Sequence, residues 1–563
     1  MLRVTAALVA MAVITALVAG LWTARGEESP ARPVSGPDHP TFGTAPPTIK
    51  LVTRETSLGK VLSSADDQRF YVSPDGRHLA YVVVRGDKRA VVVDGVAGKE
   101  YDEVSEGSPF SADSRHAGYW ARRGQKEVVV IDGAESREYD KAAGPQFSRD
   151  CTRTWYFAKQ ADKEYIIVDG VEGKPYDRIM ATQFSPDSKH VVFWAIRGGK
   201  GVLVLDGKEQ GGYDSEAASG PHFSPDSKRV AFAPRRGGKR FVVVDGAEGK
   251  FYDYVDDIRF SPDSKRVAYV ASCGDMFMAV VDGVEGKEYN GQVGVGGESH
   301  LLVPIAFMMF SPDSKRVAYK ARQNGNELVV VDGVEGQAYD RVDDLRFSPD
   351  SRRVAYVAIS GGKYRDVVDG VEGKGGDTIS YLQFSPDSKH VTYTAKRGDK
   401  EHLFVDDGES AEWDFVGIPS FSPDSLHVIT WASRDREHFM VIDGVAQQAY
   451  EHTGGYDVSA DSKHIAYAAK RRGQAAIVVD GVEIPSYYDT TEFTNFSPDS
   501  RHVAYLARRG GRAYVVVDGA EGKPFDEFPL GMRQPFDDAA HLHAIVERDG
   551  EFLLQEIEIV KGP

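Results

Sequence analysis

Cysteine is almost missing from this chain: its 563 residues include two, Cys151 and Cys273, too few for a disulfide framework. No stretch shows the 3.6-residue apolar period of an amphipathic helix, and after Trp22 no apolar run is long enough to span a bilayer. Positive charge is in deficit, with 68 Lys and Arg against 85 Asp and Glu, a formal charge of −17 and a pI near 5.4. So acidic a chain lacks the basic footprint that phosphate backbones require, which excludes nucleic acid as a general partner. Signatures of chemistry are lacking too. There is no Gly-x-Ser-x-Gly elbow, no Gly-Lys pair followed by Ser or Thr, no Cys/His zinc spacing and no Asp-x-Asp-x-Asp-Gly calcium loop. No motif therefore names a catalytic residue, a cofactor-binding residue or a metal ligand.

What the chain has in abundance is repetition. Phe-Ser-Pro-Asp-Ser stands intact at Phe184, Phe223, Phe260, Phe310, Phe347, Phe384, Phe421 and Phe496, and altered at Val72, Phe110, Phe147 and Val458. A degraded thirteenth copy starts at Phe536. The spacing is 37 to 40 residues except from Phe260 to Phe310, which takes 50. A fixed period of this size means one supersecondary unit copied many times, each burying its faces against its neighbours.

The copy at Phe310 shows the unit. Met308 to Ser311 reads as a strand, Pro312-Asp313-Ser314 as a tight turn, and Arg316 to Ala321 as a second strand. Gln323-Asn324-Gly325-Asn326 closes a hairpin onto a Val-rich third strand, Glu327 to Asp332. Asp332-Gly333 turns into a short fourth strand, Gln337 to Asp340. Four short strands per repeat define a propeller blade, so the expected fold is all-β, a β-propeller of about 13 four-stranded repeats. Phe-Ser-Pro-Asp-Ser followed by Lys or Arg and Val-Ala-Tyr resembles the propeller repeat of the TolB family, related in architecture to WD-type repeats. The resemblance runs from about Thr53 onward and implies the propeller fold, which hosts unrelated activities.

The N-terminal stretch differs in kind. Arg3 precedes an apolar run from Val4 to Trp22, a secretory signal peptide or an uncleaved membrane anchor. The expected organisation is 1–26 signal or anchor, 27–52 a Pro-rich linker, 53–300 a first propeller and 301–563 a second. The joint is placed in the longer spacing around Gly291 to Ile305, giving six repeats and then seven. Gly59-Lys60-Val61-Leu62 matches a fourth strand whose first three are missing, while the C-terminal copy ends on a third strand near Leu553 to Val560. The two ends could complete one blade together. The chain is expected to be exported, periplasmic or extracellular, with residues 4–22 as a possible tether.

Two recurrent positions invite a metal. His or Arg follows the pentapeptide by two residues in twelve copies, His78, His190 and His502 against Arg153, Arg229 and Arg316 for example. Arginine exchanges freely with histidine there and cannot ligate a metal, so the shared property is a planar hydrogen-bond donor for a nearby carboxylate or carbonyl. Asp-Gly, and the Tyr-Asp pairs such as Tyr101-Asp102 and Tyr176-Asp177, read as turn chemistry with an aromatic wedge, not calcium. Cys151 and Cys273 fall at opposite ends of the repeat, three copies apart, and read as free thiols.

Without catalytic signatures the expected activity is binding. The alternative is a propeller hydrolase or lyase whose residues converge in the central channel. The hairpin between second and third strands is basic in most copies: Arg122 and Arg123; Arg235, Arg236, Lys239 and Arg240; Lys396 and Arg397; Arg471 and Arg472; Arg508 and Arg509. The segment leading into each first strand varies freely, as in Met180-Ala181-Thr182, Tyr254-Val255-Asp256, Ile379-Ser380-Tyr381 and Glu492-Phe493-Thr494. A basic rim around varied side chains suggests a protein or an anionic polysaccharide of the cell envelope as partner.

Overall fold

The computed structural model describes residues 49–60, 70–105, 107, 109–215, 219–290, 304–528 and 536–562. Every helix or strand among them is a β-strand. They form thirteen separate sheets, numbered here in chain order, in a propeller arrangement. Sheets 1 to 12 are antiparallel meanders of four strands hydrogen-bonded in sequence order. In sheets 3, 5 and 10 one strand is split in two; in sheet 5 the break between Val230–Ala233 and Arg235–Arg236 falls at Pro234, which has no N–H to give to the ladder.

The repeat's pentapeptide can now be read atom by atom. In sheet 7, Ser311 Oγ donates to Asp313 Oδ1 at 2.7 Å and accepts from the Arg316 N–H at 2.9 Å. Asp313 Oδ1 also accepts from the Lys315 N–H at 3.1 Å, which closes the turn. Ser314 sits in the left-handed region at φ 68°, and its Oγ accepts from the Asp263 N–H of sheet 6 at 2.8 Å. The last serine of the motif fastens one sheet to the previous one in the same way at Ser114, Ser188, Ser227, Ser264, Ser388, Ser462 and Ser500. Cys151 takes that place in sheet 3 and accepts from the Asp113 N–H at 3.3 Å, buried and free of any disulfide, while Cys273 is free and exposed.

Apolar side chains of neighbouring sheets fill the space between them. Phe277 and Tyr289 of sheet 6 pack with Ile305, Met308 and Tyr319 of sheet 7 in one buried cluster. The tyrosine that ends a fourth strand wedges edge-on against the tyrosine of the next sheet's second strand, as in Tyr101 with Tyr119 and Tyr252 with Tyr269. The Asp after that tyrosine accepts from the following sheet's backbone: Asp177 Oδ2 from the Gly198 N–H at 2.7 Å. Both expectations for the Tyr-Asp pair hold.

Sheet 13 is a composite of both ends. Its hairpin, His541–Arg548 and Glu551–Lys561, gains its outer strand from Ile49–Lys60. The closure expected from the sequence is present, although the strand begins at Ile49, inside the stretch assigned to the linker. Glu55 anchors it, taking two bonds from Arg548 at 2.7 and 2.9 Å and one each from Lys523 at 2.9 Å and Gln555 at 3.1 Å. Chiefly the Arg548 guanidinium holds the Glu55 carboxyl down at about 2.

By its contacts the chain divides into two compact units, 58–342 and 1–57 with 343–563. The first holds sheets 1 to 7; the second holds sheets 8 to 13, with the first strand of sheet 8, Arg341–Phe347, beginning at the boundary. The division thus falls one repeat beyond the joint placed at 291–305. Sheet 7 stays with the first unit because Ile305 and Met308 are buried in the cluster it shares with sheet 6. Residues 291–303, where that joint was placed, and the segments 1–26 and 27–48 lie outside the described residues.

Candidate functional site

The histidines and arginines after the pentapeptide are held by the Asp of the Asp-Gly turn, one pair per sheet. His78 Nδ1 lies 2.7 Å from Asp94, His190 2.6 Å from Asp206 and His502 2.6 Å from Asp518. Arg153, Arg229 and Arg316 donate Nε to Asp169, Asp245 and Asp332 at 2.8 to 2.9 Å. The second Asp oxygen accepts from the backbone N–H of the residue after the His or Arg, as for Leu79 at 2.9 Å. Planarity matters as well as donation: Arg229 lies over Phe260 of the next sheet at 5.4 Å, and the His116 ring stacks on Phe147 at 6.0 Å. Where the residue is Arg, its second nitrogen also reaches that next sheet, Arg229 Nη1 donating to the Lys265 carbonyl at 2.8 Å.

The basic hairpins turn out to be committed to their own repeats. Arg123 pairs with Glu135 at 2.8 Å, Arg236 with both oxygens of Glu248 at 2.8 Å, and Arg397 with Glu409 at 2.6 Å. Arg471 meets Glu483 at 3.1 Å, Arg509 meets Glu521 at 2.9 Å, Arg508 meets Glu527 at 2.8 Å, and Arg122 pairs with Glu103. Lys239 binds Asp253 at 2.5 Å, while Arg235 and Arg240 donate to the carbonyls of Gly238 and Val255 at 3.1 and 3.2 Å. Lys396 is exposed opposite Thr378, and Arg472 is exposed in the turn at φ 51°. The glutamate that takes the arginine also takes the wedge tyrosine of the previous sheet: Tyr101 Oη donates to Glu135 at 2.7 Å, which with Lys99 and Arg123 holds that carboxyl at about 2. The arginine completes the triad by lying over the tyrosine ring, Arg123 at 5.3 Å from Tyr101. The positive rim expected from the sequence is thus largely a set of internal ion pairs that lock one sheet to the next.

The variable segments occupy a more unusual place. The first strands carry a β-bulge, with pairing shifted between Met180 and Gln183, Asp256 and Arg259, Ala306 and Met309, and Ser380 and Gln383. One position, three residues before the motif's aromatic, sits at that bulge. It is left-handed at Ala181 (φ 52°), Asp257 (54°), Phe307 (55°), Asp344 (59°) and Tyr381 (60°). A bulky side chain in this region costs on the order of 1–3 kcal/mol and persists only where the surroundings dictate it. Phe307 is nonetheless 65% exposed and Tyr381 44%, with Ile418 at the matching position of sheet 10 39% exposed.

In the unit containing 343–563 the first strands of sheets 11 and 12, His452–Val458 and Thr490–Phe496, flank a cleft of about 670 Å³. Its floor is bare, made by Gly454, Gly455, Ala468 and Ala469, and its walls carry Thr490, Thr491, Thr494 and Asn495. Lys470 brings positive charge to it, Asp457, Asp489 and Glu492 negative, and His452 stands at its edge. From His452 a run of rings leads away from the cleft: His438 at 5.2 Å, Trp431 stacked on His438 at 6.1 Å, and Phe415 stacked on Trp431 at 4.9 Å. Gly417 keeps this stack open, since a Cβ there would meet Trp431 Nε1 at 2.4 Å. Burial, with His452 alongside, holds the His438 imidazole below its usual value.

No family model matches the chain, and no curated protein matches it. Among solved structures it is similar to a crystal structure of the eukaryotic initiation factor, at 12% identity over 57% of this chain and 90% of that one, with a TM-score of 0.31. It is also similar to dihydro-heme d1 dehydrogenase NirN in complex with DHE, at 14% identity over 67% and 80%, with a TM-score of 0.26. The β-propeller domain of the Trilobed protease from Pyrococcus furiosus matches at 12% identity over 55% and 96%, with a TM-score of 0.22. Likeness at this level concerns fold alone.

A signal for one of these features was present in the sequence. A spacing of twelve residues recurs, Arg123 to Glu135, Arg236 to Glu248 and Arg509 to Glu521, and would have identified this internal pairing. The aromatic run Phe415, Trp431, His438, His452 has no regular spacing because it crosses from sheet 10 to sheet 11.

Proposed function

We propose that this chain is a non-catalytic, TolB-like binding propeller of the cell envelope, exported and held or released through residues 4–22, whose first-strand bulges engage a protein partner. The observation that carries the reading is the contrast within each repeat. The pentapeptide, Asp-Gly and Arg–Glu positions are spent on holding sheets together, whereas the bulge position is chemically different from sheet to sheet and at Phe307 and Tyr381 is both exposed and conformationally costly. Exposed aromatics such as Phe307 and Tyr381 are the kind of residue that anchors protein interfaces. With their charges taken up internally, the basic hairpins no longer favour an anionic polysaccharide.

The test is affinity capture from a native envelope fraction with the wild-type chain, with F307G/Y381G, and with the hairpin reversal R235E/R236E. Glycine removes the anchors and relieves the left-handed strain, so capture should be lost while the melting temperature holds or rises. Capture unaffected by F307G/Y381G would overturn the assignment of the bulge face.

A further inference from the structure

The cleft between sheets 11 and 12 lies between their own first-strand bulges, where pairing shifts between Thr453 and Tyr456 and between Glu492 and Asn495, and its chemistry is specific. Gly454, Gly455, Ala468 and Ala469 line it together with Thr490, Thr491 and Asn495, so small side chains adjoin groups that can hydrogen-bond. At about 670 Å³ it lies within the 300–1,000 Å³ typical of small-molecule sites. Lys470 stands against three carboxylates, Asp457, Asp489 and Glu492, an acidic balance that disfavours an anionic ligand. Asp457 is already engaged, its two oxygens accepting from the Val458 N–H at 3.0 Å and the Phe496 N–H at 2.8 Å. Beside this polar hollow lies the run of near-parallel rings ending at Phe415, which is 42% exposed.

An exposed ring, Phe415, at the end of a run of rings that starts at His452 beside uncharged donors and acceptors matches one ligand class well. A pyranose presents an apolar face of C–H groups to a ring and a rim of equatorial hydroxyls to side-chain amides and hydroxyls. We propose that this cleft binds a neutral oligosaccharide, with two or three sugar units laid from the Thr490–Asn495 wall across His452 toward Trp431 and Phe415. A nucleoside would use the same stacking, and an extended peptide would use the strand edge; each is an outcome of the test.

The experiment is isothermal calorimetry on the full chain with neutral di- and trisaccharides of the gluco, manno, xylo and N-acetylglucosamine series, alongside adenosine and a tri-alanine peptide. At least one saccharide series should bind saturably, with the trisaccharide tighter than the disaccharide, and the nucleoside and peptide should not. F415A, at an exposed position, and N495A should each weaken that binding by roughly tenfold, about 1.4 kcal/mol. W431F, which keeps a ring, should retain most of it, and its loss of the tryptophan fluorescence change should mark Trp431 as the contact. Absence of saccharide binding to a chain with an unaltered melting temperature overturns the proposal, as does binding that survives both F415A and N495A, or preference for the nucleoside or peptide. Failure here leaves the bulge surface standing, because F307G/Y381G touches none of these residues.

Discussion

His502 and His438 show how one residue type is set to opposite ends of its range by what it faces. The hydrogen bond His502 donates to Asp518 raises its imidazole above the usual value of 6.5, as the bond to Asp443 does for His427. A raised value in the folded state means that the stabilisation is complete below about 6.5 and is lost as pH climbs through the higher folded value. The melting-temperature cost of H502Q should therefore be larger at pH 6 than at pH 8.5, as read by a thermal scan at each. His438 is displaced downward by burial and by His452, so its contribution runs the other way and fades as pH falls below 6.5. Cys151 is a second case at this scale. It stands where the equivalent position carries serine, and a hydroxyl accepts the Asp113 N–H better than its sulfur does at 3.3 Å. C151S should raise stability by roughly 0.5 kcal/mol, measured by urea unfolding.

At the level of the strand and hairpin, each second-strand arginine behaves as a tie rod rather than a lure. R236E would place two carboxylates together at Glu248 and strip the guanidinium from the faces of Tyr213 and Phe241, 5.5 and 5.1 Å away. A lower melting temperature is expected for R236E, restored in part by R236E/E248R; an unchanged value would show that the pair contributes nothing. This distinction between tie and lure divides what could be read in advance from what could not. Turns were legible because Pro-Asp-Ser and Asp-Gly carry their own backbone geometry, and the strands because Val-rich runs alternate with those turns. Charge was misread because a hairpin arginine looks solvent-facing until the fourth strand folds back, bringing the glutamate twelve residues on alongside it. The bulge was invisible for a different reason. Left-handed backbone is announced by glycine or asparagine, and here it carries Phe307 and Tyr381, a conflict between local preference and fold that sequence alone does not display.

At the scale of the whole molecule, sheet 13 joins a strand from the beginning of the sequence to a hairpin near its other end, which makes the unit containing 343–563 depend on residues far from it in sequence. E55A should destabilise that unit by on the order of 2 kcal/mol, the scale of a hydrogen bond to charged groups, and lower its transition by roughly 4–8 °C. The transition of the 58–342 unit should not move, so calorimetry ought to separate the two. With its carboxyl held at about 2, Glu55 contributes fully above pH 4.5 and loses that contribution as pH falls toward 2, so the gap between wild type and E55A should narrow on acidification. The same arrangement imposes an order on biosynthesis. Ile49–Lys60 leaves the ribosome almost five hundred residues before Glu551–Lys561, its pairing partner. At about 5–20 residues per second the wait is roughly 25–100 s. Throughout that interval a twelve-residue strand has no mate within its own chain. It is then free to seek the same hairpin on an older copy, so crowded polysomes, more than any property of the finished protein, set how often two chains exchange their first strands.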